Sequence, residues 1–302
     1  MTFRITVFYV LNGLSVIAAD SFTVATYNVE NYFLKPHATR KEKSLASRQK
    51  VAEAIALIRP DVLAIQEIGR KGALDDLRNR LSQKNLDYPH HLWLQGPDSA
   101  IHLALLSRFP VIGNHSKSNV MYLLDRRRFQ VSRGFIEVVV QVNPGYRFTL
   151  FNAHLKSMRP IAIADQAEMR LEEARALRRF IDKRLKVDSE ENILLVGDLN
   201  DSPSKDSVKT LIGRHRSKLI DLRPFETSGV LTPSQASLKS LSRRVTWTHF
   251  YAKDDQYSRF DYILASPGIH KEYVASFVQA QADWGMASDH RVVVAKFIAR
   301  DR

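Results

Sequence analysis

No cysteine occurs among the 302 residues. That excludes disulfides, Cys-ligated zinc, iron–sulfur clusters and thiol nucleophiles. No apolar run approaches the roughly 20 residues of a bilayer span outside a short N-terminal stretch, so a multi-span membrane protein is excluded. The sequence has no Gly-rich phosphate loop with its lysine, which argues against an NTPase. It also has no G-x-S-x-G elbow and no H-E-x-x-H zinc pattern. Negative charge is in short supply. Asp plus Glu is 32 against 45 for Lys plus Arg, giving a formal charge of +13. A balance that basic favours polyanions such as nucleic acid or acidic lipid headgroups, although an inert basic surface has the same composition. Hydrophobic residues at 44% and charged residues at 25% are ordinary globular values, so a disordered chain is excluded.

The first 19 residues have the form of a signal peptide. Arg4 is followed by the mostly apolar stretch from Ile5 to Ile17, with small residues at Ala18 and Ala19. The expectation is an exported protein, periplasmic or secreted, with an uncleaved membrane anchor as the alternative. Loss of Arg4 would lower the formal charge only from +13 to +12, so the basic balance belongs to residues 20–302.

The remainder alternates strand and helix patterns. Strands are expected at Phe22 to Tyr27, Val62 to Gln66, Leu103 to Ser107, Gly134 to Val142, Arg147 to Ala153, Asn192 to Gly197, Tyr262 to Ala265 and Arg291 to Ile298. Helical spacing covers Ser44 to Ile58, Leu74 to Ser82 and Ala164 to Leu185. Phe225 to Ser242, rich in Ser, Thr and Pro, reads as a loop. No repeat or linker divides the chain, so a single α/β domain is expected.

Polar clusters close or open six of these strands. They are Tyr27-Asn-Val-Glu30, Gln66-Glu67, Asn152-Ala-His-Leu-Lys156, Gly197-Asp-Leu-Asn-Asp201, Arg259-Phe-Asp-Tyr262 and Ser288-Asp-His290. Carboxylates, amides and imidazoles at buried strand ends are costly unless they pair or bind a cation. Six together point to one concave site at a rim of the sheets. Oxygen donors dominate, which suits Mg²⁺ or Mn²⁺, and Asp201 belongs to that inventory. His154 and His290 could stabilise phosphate charge or move protons, and Asp261 could orient His290.

In order and spacing, these six motifs resemble the endonuclease/exonuclease/phosphatase superfamily, the deoxyribonuclease I-like fold, over roughly residues 22 to 298. The resemblance implies a four-layered α/β sandwich of two packed sheets flanked by helices. It implies Glu67 as principal metal ligand with Asn28 beside it, Asp289 as a further ligand and Glu30 as a weaker candidate. Asp198 and Asn200 would position or deprotonate the attacking water. His290 would contact the scissile phosphate with Asp261 fixing its tautomer, and His154 would stabilise or protonate phosphoryl oxygens. Whether Asp198 or His290 is the base stays open at this stage. The expected activity is metal-dependent hydrolysis of nucleic acid, DNA above all, and the alternative is a phosphatase or a sphingomyelinase-type phospholipase C acting on membrane lipid. Lys156, Arg126, Arg128 and Arg133 are the candidate phosphate contacts, with a merely solvated role as the alternative. Arg170 reads as part of an ion-paired helix face with Glu168, Glu172 and Glu173. Asp98 is the candidate partner for His154. Trp247, His249, Phe250 and Tyr251 could pack as core or stack on a base.

Overall fold

A computed structural model describes residues 21–226, 246–279 and 283–301. The expected leader, and nearly all of the loop at 225–242, lie outside the described residues. Among the described residues no helix is long and apolar enough to cross a membrane.

Two sheets form the centre. The first runs β12 (Phe225–Glu226), β16 (Tyr273–Val278), β17 (Val293–Ile298), β1 (Ser21–Tyr32), β2 (Val62–Ile68), β4 (His102–Ser107) and β3 (His90–Leu94). The second runs β11 (Ile220–Asp221), β15 (Asp261–Ala265), β10 (Ile193–Asp198), β9 (Tyr146–His154), β8 (Phe135–Asn143) and β5 (Val111–Asn114). Helices α1 (Leu45–Ile58) and α2 (Lys71–Ser82) cover the outer face of the first sheet, while α3 (Gln166–Val187) and α4 (Asp206–Ile212) cover the second. The result is the expected four-layered sandwich. Two hairpins stand apart, β6 (Met121–Leu124) with β7 (Arg127–Gln130), and β13 (His249–Tyr251) with β14 (Gln256–Ser258).

Local signals explain the helices. The Ser44 side chain accepts from Ser47 N at the start of α1 (3.1 Å). At its end Arg59 turns left-handed (φ 52°) and Pro60 forbids continuation. The α1 crossover returns the chain to make β2 parallel to β1. Asp165 caps α3 by accepting from Ala167 N and Glu168 N.

The period of two along each strand explains the layers. Phe22 and Val24 on β1 face the second sheet, meeting Phe148 and Leu150 on β9 and Leu194 and Val196 on β10. Phe22 stacks on Phe148 (5.0 Å) and Phe297 (5.4 Å), joining the sheets. Each such side chain contributes about 1.5–3 kcal/mol on burial, and this core stabilises a chain without disulfides.

Toward one rim the same faces turn polar. On β1 the series Phe22, Val24 continues as Thr26 and Asn28; on β2, Val62 and Ala64 continue as Gln66. On β9, Phe148 and Leu150 continue as Asn152 and His154, and on β10, Leu194 and Val196 continue as Asp198. A buried amide layer marks the boundary. Gln66 Nε2 donates to Asn152 Oδ1 (2.7 Å) and Thr26 Oγ1 (3.0 Å), and Asn152 Nδ2 donates to Ile65 O and Ala104 O. Gln66 and Asn152 are thus the floor beneath the site.

Candidate active site

Strand register builds the first row. Asp198 lies opposite His154 on parallel β9 and opposite Asp261 on antiparallel β15. Close approach of β9 and β10 requires Gly197, with φ of 136°; a Cβ there would stand 1.9 Å from Ala153 O. The first sheet supplies Asn28 and Glu67 from the ends of β1 and β2. His290 precedes β17, whose pairing with β1 brings it beside Asn28. Ser288 Oγ locks that approach by donating to Asn28 O (2.7 Å) and accepting from His290 N (3.0 Å).

The side chains meet across the two sheets. Asn28 Nδ2 donates to Asp198 Oδ2 (2.9 Å) and stands 3.4 Å from His290 Nε2. His290 Nδ1 donates to Asp261 Oδ2 (2.8 Å), and its Nε2 is 3.7 Å from Asp198 Oδ2. His154 Nε2 is 3.3 Å from Asp198 Oδ2 and 3.8 Å from Glu67 Oε1. Asn200 N donates to Asp198 Oδ1 (2.9 Å), and Asn200 Nδ2 to Leu155 O. Glu30, Glu67 and Asn200 adopt left-handed φ of 45°, 60° and 51°. Such conformations are unfavourable for glutamate, and their concentration here is what a functional rim produces.

Burial and charge assign protonation. Asp198 and Asp261 are fully buried, whereas the Glu30 and Asp289 side chains are 41% and 39% exposed at the mouth. Burial raises Asp198 to about 6; His290 and Asn28 oppose that rise and Asp261 adds to it. Burial acts to lower His290, but Asp261 and Asp198 overcome it and hold the imidazole well above its ordinary value. His154 is pushed well below its ordinary value by burial, then by Arg133 and His290, so it is neutral near pH 7. At the mouth, Glu30 is raised by burial and by Asp289 and Glu67. Lys43, not singled out in the sequence, lies buried against these three carboxylates and donates to Glu30 O (2.9 Å).

Asp289 and Glu67 both raise Glu30, so the mouth gathers carboxylates near the Asn28 amide, and oxygen donors of this kind suit a hard divalent cation. Glu67, Asp289, Glu30 and Asn28 would hold the ion, whose contribution would be to neutralise phosphoryl charge as a Lewis acid.

The sequence model of the endonuclease/exonuclease/phosphatase family matches residues 25–290. The chain belongs to that family. Among solved structures, the family fold is shared with the human Nocturnin catalytic domain (TM-score 0.64, 15% identity, 94% of this chain and 96% of that one). A Leptotrichia buccalis family protein matches with TM-score 0.63 and 15% identity over 93% and 99%. Sphingomyelinase C from Streptomyces griseocarneus matches with TM-score 0.58 and 17% identity over 92% and 98%. No curated protein sequence matches. Members of this family are in general hydrolases of phosphoester bonds, with a general dependence on a divalent metal.

Several residues take places other than those expected. Arg133 is buried at 5% exposure; its guanidinium donates to Leu155 O (3.0 Å) and lies 3.6 Å from Asp98, so it supports the His154 strand from behind and presents no surface to a phosphate. Asp98 is occupied by Arg133 and by the amides of Ala100 and Ile101, and His154 Nδ1 has no hydrogen-bond partner, so Asp98 does not orient His154. Arg170 is not on a solvated helix face: it is 3% exposed, and its Nε donates to Asp201 Oδ2 (2.9 Å). Asp201 is thereby withdrawn from the metal donors, and Ser207 Oγ donates to it as well (2.8 Å). Arg126 and Arg128 are exposed on the β6–β7 hairpin, and Lys156 is half-buried two residues beyond His154. Trp247, His249 and Phe250 are half-buried and Tyr251 is exposed, so none joins the core; Trp247 packs against Trp284 and Tyr257 with the Arg291 guanidinium 4.1 Å from its ring. A cavity of about 980 Å³ opens at the opposite end of β9 near Arg147 and Thr149, roughly 20 Å from His154 by strand length, and no site residue lines it.

The charge on His290 gives a spectroscopic prediction. In the metal-free protein at pH 7.5, long-range ¹⁵N–¹H spectra should show His290 with both ring nitrogens protonated and His154 as a neutral tautomer. Because the folded value of His290 is raised, its stabilising contribution is complete below the ordinary value of 6.5 and is lost as pH rises through the folded value. Asp261→Asn should move that titration to lower pH. An unchanged His290 titration in Asp261→Asn would contradict the assignment.

Proposed function

We propose that the chain is an exported, Mg²⁺- or Mn²⁺-dependent phosphodiesterase that hydrolyses nucleic acid, with DNA as the principal substrate and internal cleavage as the mode. The observation that carries this reading is the buried row His154–Asp198–His290–Asp261 beside a mouth of carboxylates. Asp198 is ionised above about pH 6 and held by Asn28 and Asn200 N, so it can orient a water and take its proton. His290, kept protonated by Asp261, is a poor base and a strong donor to a phosphoryl oxygen. Neutral His154 can donate from Nε2 to the same group. Water attacks phosphorus in line, and the P–O bond to the departing oxygen breaks on the opposite side.

The polyanion preference rests on the basic balance of the chain and on exposed Arg126 and Arg128. A second reading, a sphingomyelinase-type hydrolase of lipid headgroups, is favoured by exposed apolar side chains on that hairpin and the loop beside it. Met121 and Leu123 are exposed there, as are Met158 and Ile163, and Arg127 ties the two segments by donating to Ile163 O.

The test is a substrate screen of the purified chain with Mg²⁺ and with EDTA. Plasmid nicking that EDTA abolishes, and that weakens steeply as salt rises, is expected. Release of phosphocholine from sphingomyelin vesicles without nicking would replace DNA by lipid. Metal-independent DNA binding without turnover would overturn both.

A further inference from the structure

His249 has no part in the hydrolytic arrangement, yet the fold holds it against that arrangement. It opens β13, and a backbone bridge aligns it with His290. Phe250 N donates to Asp289 O (2.9 Å), fixing residues 249–250 beside 289–290. The His249 ring stacks on Phe260 (5.1 Å) with its centre 4.5 Å from that of His290. Its Nε2 is 3.7 Å from Asp289 Oδ2, and His290 Nε2 is 3.9 Å from Asp289 Oδ1. Both separations exceed a hydrogen bond. The Nδ1 of His249 is buried without a partner. One donor atom from each of the three residues thus lies within 4.8 Å of the others.

Two imidazoles and one carboxylate are a different donor set from the oxygen donors of the mouth, with which this set shares Asp289. Zn²⁺ and similar borderline ions accept imidazole nitrogen readily, whereas Mg²⁺ prefers oxygen and water. The outer contact fits as well. Asp261 accepts from His290 Nδ1, the arrangement that leaves Nε2 to a metal and fixes the ring.

We propose that His249, Asp289 and His290 form a Zn²⁺-selective inhibitory site at the mouth of the cleft. Zinc there would displace the Nε2 proton of His290 to solvent and withdraw His290 and Asp289 from hydrolysis. The inhibition rests on the phosphodiesterase reading; the binding does not.

The full chain, stripped of metal, is titrated with ZnCl₂ against a chromophoric zinc chelator in excess Mg²⁺. Wild type should take up zinc at a single site, and His249→Asn should weaken it by at least about 10-fold. Co²⁺ should give intense visible absorption in wild type and lose it in the variant. His249→Gln serves as a second variant should His249→Asn melt early. Equal zinc affinity in wild type and both variants, or no zinc uptake by wild type, would overturn the proposal. Where DNA cleavage is measured, zinc should inhibit wild type more than His249→Asn. Absence of any cleavage with Mg²⁺ alone would remove the hydrolytic reading and leave the zinc titration as the test of the site.

Discussion

His290→Ala is expected to lower kcat/KM on a phosphodiester by about 10³–10⁴-fold, or roughly 4–5.5 kcal/mol of transition-state stabilisation. The imidazole is held between Asp261 and Asp198 with one ring proton directed into the cleft, and the neighbouring donors, Asn28 and neutral His154, carry no positive charge to replace it. Asp198→Ala should fall by a similar factor, because the acceptor beside Asn28, His154 and His290 disappears. The double variant should lose little more than either single one, since the groups act as a unit. Steady-state kinetics with circular dichroism of each variant checks this. A His290→Ala enzyme within tenfold of wild type would contradict the assigned role.

Arg170→Ala is expected to have the largest effect on stability, about 3–5 kcal/mol. The guanidinium is buried, pairs with Asp201 and donates to Lys156 O (3.0 Å). It therefore ties α3 both to the loop after Asp198 and to the segment after His154. Its removal leaves the Asp201 carboxylate buried with only Ser207 Oγ as a donor. For a domain of this size the melting temperature should fall by roughly 6–15 °C. Thermal denaturation checks it, and a shift of under 2 °C would mean that water reaches Asp201 and that the pair is not isolated as described.

Much of the site was legible because its residues sit at strand ends in a fixed order. Asn28, Glu67, His154, Asp198, Asn200, Asp261, Asp289 and His290 all gather in one cleft. What was not legible depends on which face a residue takes once helices pack. Arg133 and Arg170 read as surface cations because nothing local marks an arginine that will be buried; only the tertiary positions of Asp98, Leu155 and Asp201 do so. Lys43 lies in the run Lys41-Glu42-Lys43, which looks solvated, yet it is buried with its ammonium donating to Glu30 O, a contact between residues 13 apart in sequence. The division into two sheets was equally hidden. A strand such as Val62–Ile68, covered by helices on one side and by the second sheet on the other, is apolar on both faces and carries no alternation. Short edge strands, among them β5 and the pair β13 and β14, lack enough residues to show a period.

The most direct measurement is turnover of a phosphodiester in ¹⁸O-water by wild type and by Asp198→Asn. The account predicts one labelled oxygen on the phosphate product of wild type and a rate lowered by orders of magnitude in the variant. Label on the alcohol product, or an unchanged rate in Asp198→Asn, would contradict attack on phosphorus by a water that Asp198 holds.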